Sequence, residues 1–157
     1  MISKHLTASD TAVYTISFKF AAFSSFGLVI INSVMVPLIA KHFNNREETK
    51  KLELLLKPNI RKALFVSVII SILLIVSGKQ LLGFFGKETE NYSIGYMSMI
   101  ILIIGQLTNV AIGSVGYILT MAKLEKLATL SIIISIIINI ILNYLLLPIY
   151  GIEGAAI

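Results

Sequence analysis

Four stretches of the chain contain no charged side chain: residues 20–40, 63–78, 91–122 and 127–152. They hold 21, 16, 32 and 26 residues, and the 62 residues outside them carry all 21 charges. A transmembrane helix needs roughly 20 mainly apolar residues, because a hydrocarbon layer of about 30 Å is crossed at about 1.5 Å per residue. The pattern therefore predicts an all-α, polytopic membrane helix bundle with about four transmembrane helices. The spans fall at approximately residues 12–40, 60–82, 93–121 and 127–148 of a single membrane domain.

The signals between these stretches refine the elements. Asp10 or Thr11 is a plausible N-cap for the first helix, which runs to about His42. That is longer than a bilayer needs, so the helix tilts or projects. Residues 41–59 follow as a charged cytoplasmic linker. Asn45 and Glu48 have the spacing of a capping box, and Leu52, Leu55 and Leu56 fall at i, i+3, i+4. This predicts a short amphipathic helix at the interface, ended by Pro58 unless that proline opens the next span. Lys62 and Lys79 lengthen the second span by snorkelling. Gly83-Phe-Phe-Gly86 reads as an interfacial turn, and the Ile/Leu-rich fourth span stops at Pro148.

Composition narrows the class. The chain is 57% hydrophobic and 13% charged, with a mean hydropathy of +0.92. Soluble domains run at about 45–50% apolar and about 25% charged, so a soluble globule, a disordered chain and a nucleic-acid module are excluded. With no cysteine there is no disulfide framework and no thiolate zinc site. His5 and His42, 37 residues apart, have no helical carboxylate partner and offer no metal or nucleophile site. Gly78-Lys79-Gln80 lacks the upstream glycine and following Ser/Thr of a phosphate-binding loop. The residues thus predict neither an enzyme nor a cofactor. No Asp or Glu lies within a span, where such groups serve as ion relays.

Charge sets the expected orientation. Residues 41–62 hold 7 Lys/Arg and residues 123–126 hold 2, against Lys4, Lys79, Lys87 and at most Lys19 on the other side. The positive-inside rule places the first two loops in the cytoplasm and both chain ends outside.

The candidate chemistry lies in polar residues inside the spans. Gln106, Asn109, Gly113, Gly116 and Thr120 step by 3, 4, 3, 4 and share a helix face. Ser131, Ser135, Asn139 and Asn143 step by four, and Asn32 lies seven beyond Ser25. Two readings stand for each row. Small residues and amides hold neighbouring helices together, at roughly 0.6–2 kcal/mol per bond, or they line a hydrated cavity for a polar substrate. Lys19 likewise either snorkels at the outer edge of its span or faces a cavity that binds an anionic group.

These rows also carry a resemblance. Asn139 and Asn143, followed by Pro148, Gly151, Gly154, Ala155 and Ala156, spell N-x-x-x-N…P-x-x-G-x-x-G-A-A. This resembles the signature of polysaccharide and O-antigen flippases in the multidrug/oligosaccharidyl-lipid/polysaccharide exporter superfamily. Gly105-Gln-Leu-Thr-Asn109 through Gly113 to Met121 is similar to the family's preceding helix. Ile31 to Lys41 with its charged linker, and Ser77 to Gly86, resemble the helix-and-loop before that and its outer turn. Lys123 departs from the pattern, since the family often places a glycine there. The family's cavity arginines and acidic residues have no matched positions.

The resemblance implies a fragment or truncated form of a lipid-linked oligosaccharide flippase in a bacterial plasma membrane. Family members have twelve or more helices in two lobes, and this chain resembles the early part of the C-terminal lobe. Its implied partners are membrane lipids, a lipid-linked oligosaccharide, and a missing lobe or a second copy, with no nucleic acid. Lys19, Asn32, Gln106, Asn109, Asn139 and Asn143 are the candidates for cavity or packing roles. A cation-coupled multidrug exporter and a small non-transporting membrane scaffold are the alternatives.

Overall fold

The computed structural model describes residues 8–42, 46–85, 95–113, 115, 119 and 124–156. Asn45, Gly86, Lys87, Gly116, Thr120 and Lys123, each singled out above, lie outside the described residues, as do Lys4 and His5. Every regular element among those described is helical.

The first rod is α1 (Ala8–Ala22), a 3-10 turn (Phe23–Ser25) and α2 (Phe26–His42) in direct succession. The turn coincides with Ser25, whose hydroxyl donates to the Ala22 carbonyl at 2.8 Å. A side-chain bond three residues back competes with the helical i−4 bond and accompanies the tighter turn. Pro37 stays inside α2.

Helix α3 (Arg46–Phe85) is continuous over 40 residues and passes through Pro58, where the sequence pattern placed a helix boundary. The reason is packing. Leu56 is buried and Ile60 partly buried against Met35, Leu38 and Ile31 of α2, so one apolar face continues across the proline. The Asn59 amide also donates to Met35 Sδ at 3.6 Å.

Helix α4 (Tyr96–Ile112) ends at Gly113, whose N–H bonds the Asn109 carbonyl at 3.1 Å. Gly113 has φ +70°, and a Cβ there would press on Ile60. Glycine alone adopts this conformation without strain and so interrupts the helix, inside the stretch expected to span. Val115 and Leu119 beyond it are again helical.

Helix α5 (Glu125–Ala156) continues past Pro148, and its break falls instead at Gly151, with φ +56° and ψ −128°. The chain turns back there: a Cβ on Gly154 would meet the Leu146 carbonyl.

Among the described residues three helices are long and apolar enough to cross a membrane: Ser9–Leu38, Leu56–Phe84 and Glu125–Gly151. Tyr96–Ile112 is apolar but shorter. The core forms where α1, α3 and α4 meet, around Val13, Ala21, Leu74, Leu82, Met99 and Ile103. A second layer joins Leu28, Ala63 and Val110. Helix α5 leans on α4 and touches α1 less. Only 6% of its most apolar window is buried, against 28% and 22% for the other two long helices. Helix α5 is therefore the peripheral element, and α1, α3 and α4 are the scaffold.

Candidate functional site

Small residues let these helices approach closely, and their spacing makes the scaffold. On the first rod the buried positions include Val13, Ser17, Ala21, Ser24 and Leu28; on α3 they include Ala63, Ser67, Ser71, Leu74, Gly78 and Leu82. Steps of three and four keep each set on one face. A Cβ at Gly27 would lie 2.9 Å from the Ala63 carbonyl and 3.1 Å from Ser67 Oγ. At the start of α4, the Ser17 hydroxyl donates to the Gly95 carbonyl at 3.0 Å, in a fully buried bond. Tyr96 donates to the Ile75 carbonyl at 2.9 Å, and Lys79 Nζ stands 5.2 Å from the centre of its ring. Ser17, Ser24, Ser67 and Ser71 were not among the sequence candidates. Their signal was the three-and-four spacing of small residues, which a hydropathy scan smooths away.

The six candidates occupy different surfaces. Lys19 is exposed on α1, two residues from buried Ser17 and so on the opposite side of the helix. Phe18, Phe23 and Phe26 are exposed beside it, whereas Phe20 packs against the core. Asn32 is half-buried on α2. It lines an open concavity of about 450 Å³ with Val29, Ser33, Val36 and Pro37, all from one helix.

On α4, Gln106 lies between the buried positions Ile103 and Val110 and is itself half-buried, while Asn109 is exposed. Among the described residues, neither side chain hydrogen-bonds to a neighbouring helix. Bonds that cross between elements include those donated by Tyr14, Ser17, Asn59 and Tyr96.

The α5 row is the one the fold assembles. Asn143 Nδ2 donates to the Asn139 carbonyl at 2.9 Å and to Asn139 Oδ1 at 3.0 Å. Further back, Ser135 donates to the Ser131 carbonyl at 2.8 Å and Ser131 to the Leu127 carbonyl at 2.9 Å. Residues 131–142 are all exposed. Asn139 and Asn143 are thus brought together within one helix, while Lys19 and Asn32 stand on the separate halves of the first rod. What this arrangement offers is amide groups and hydroxyl acceptor oxygens along one side of a long apolar helix, a surface for polar recognition rather than bond-breaking. No group of three His, Asp or Glu able to hold a metal occurs among the described residues.

Residues 1–145 match the MatE family model. No curated protein and no solved structure shows significant similarity to the chain. The helical fold and its apolar spans agree with that match. A family match across most of a multi-pass helical chain assigns it: this protein belongs to the MatE family of the multidrug/oligosaccharidyl-lipid/polysaccharide exporter superfamily, whose members are membrane transporters and not enzymes.

Proposed function

We propose that this chain is the early part of the C-terminal lobe of a flippase moving lipid-linked oligosaccharide across a bacterial plasma membrane, for polysaccharide or cell-envelope synthesis. The observation that carries the reading is the exposed polar row of α5. Ser131, Ser135 and Asn139 are exposed on a helix that buries little of itself in the bundle. The Ser131 and Ser135 hydroxyls already bond carbonyls one turn back, which leaves the Asn139 amide donors as the groups facing hydrocarbon, an unfavourable placement that calls for a second polar surface or a wet cavity. Asn109 and half-buried Gln106 on α4, which packs against α5, present amides of the same kind. Alternating access supplies both needs, because two lobes rock about a polar site near the midplane. Sugar hydroxyls match amide side chains, which donate and accept at once.

The spelled-out N-x-x-x-N…P-x-x-G-x-x-G-A-A run supports the oligosaccharide branch over a multidrug exporter.

The test is genetic. In a bacterium lacking its polysaccharide flippase, the 157-residue chain alone should leave surface glycan absent. Co-expression with the remaining helices of a matching flippase should restore it, and Asn139→Leu with Asn143→Leu should abolish the restoration. Restoration by the chain alone would replace the two-lobe reading with a homo-oligomeric one. Rescue of drug efflux instead of glycan export would assign the multidrug branch.

A further inference from the structure

A serine hydroxyl in an apolar helix has a partner close by, the carbonyl one turn back on its own helix. Ser33, Ser77, Ser131 and Ser135 take it, at 2.7, 2.6, 2.9 and 2.8 Å. Ser24, Ser67 and Ser71 do not. Each has 2% or less of its surface exposed, and their Oγ atoms have no hydrogen-bond partner among the described residues.

The three lie at one level of the bundle. Gly27 backs directly onto Ala63 and Ser67, with Ser67 Oγ 3.1 Å from where a Cβ on Gly27 would stand, so this hydroxyl is aimed across the gap towards α2. Met35 of α2 meets Asn59 of α3, so numbers rise along one helix as they fall along the other. Ser24, three residues before Gly27, therefore comes opposite the turn holding Ser67 and Ser71. It sits in the 3-10 turn itself, which packs against both α3 and α4. Ser98, the fourth such hydroxyl, is elsewhere: its neighbour Met99 faces Gly78, two turns along α3.

Three dry, unpaired hydroxyls at one level are strongly unfavourable, and buried polar groups of this kind are typically joined by a water making about three hydrogen bonds. We propose that Ser24, Ser67 and Ser71 form a binding site for an ordered water inside the membrane-embedded bundle, bridging the first rod to α3 at its 3-10 turn. Each hydroxyl both donates and accepts, so the three can supply one water with three of its four hydrogen bonds. The site joins the two helices where close small-residue packing leaves no long side chain to do so.

The test is thermal unfolding of the full chain in detergent. Ser24→Ala, Ser67→Ala and Ser71→Ala should each lower Tm by on the order of 2–4 °C. The triple variant should cost much less than the sum, because one shared water is lost once. Ser98→Ala, which removes an unbridged hydroxyl, should leave Tm unchanged or raise it. Unchanged or raised Tm for the three single variants, or strictly additive losses, would overturn the proposal. Radiolytic labelling of the unmodified protein in 18O water is the independent readout: label on Leu28 or Leu74 beside the site is expected, and an unlabelled interior contradicts it.

Discussion

The phenol of Tyr14 donates to the carbonyl of Ala155 at 3.0 Å, joining the first helix to the far end of the last across 141 positions of sequence. Helix α5 is otherwise thinly packed, so this bond anchors its reversed end. Tyr14→Phe keeps the ring and removes only the donor. A hydrogen bond of this type contributes about 0.5–1.5 kcal/mol. The variant should lower Tm by a few degrees and speed amide exchange selectively over residues 152–156, with α3 unchanged. Equal exchange throughout would show that the bond does not hold α5 in place.

At Gly27, α2 comes close to the backbone of α3. Gly27→Ala would put a methyl 2.9 Å from the Ala63 carbonyl, so one backbone must move. Overpacking of this kind costs about 1–3 kcal/mol. Gly83 near the end of α3 has open space around it and makes the matched control. Gly83→Ala should hold or raise Tm, since alanine favours the helix by roughly 1 kcal/mol, while Gly27→Ala lowers it. A melting comparison of the two in one detergent checks the pair.

Orientation can be read by chemistry, because the chain contains no cysteine. Exposed Lys57, Arg61 and Lys62 cluster at one end of the Leu56–Phe84 span, whose other end carries Lys79 alone. The basic end should be cytoplasmic. An impermeant thiol reagent added to intact cells should label Glu88→Cys and spare Asn45→Cys. The reverse pattern would invert the topology.

Gln106 and Asn109 distinguish packing from recognition. Their amides make no bond to a neighbouring helix among the described residues, so replacing exposed Asn109 and half-buried Gln106 by leucine should leave Tm within about 1 °C. In an assembled two-lobe transporter the same change should abolish glycan export. A large loss of thermal stability would show that these amides hold the helices together.

The order of apolar and charged stretches was enough to establish a helical membrane chain and which residues on its helices are polar. It was enough because a lipid environment forces every spanning backbone to satisfy its own hydrogen bonds, which couples hydropathy to helix formation residue by residue. The breaks were less legible. Pro58 and Pro148 looked like boundaries and are not, because α2 packs along one continuous face through Leu56 and Ile60, and because α5 turns back only at Gly151. The interruptions fall at Gly113 and Gly151, where φ is positive and glycine alone takes that backbone without strain.

The polar residues divide in the same way. Asn139 and Asn143 were visible as a four-residue step, and the helix alone brings them into contact. The pairing of Ser17 with Gly95, and the burial of Ser24, Ser67 and Ser71, depend on how the helices pack against one another. Periodicity along a single helix names the face a serine occupies. Only tertiary packing determines whether that face meets another helix, lipid or a second lobe, because the same small residue serves all three.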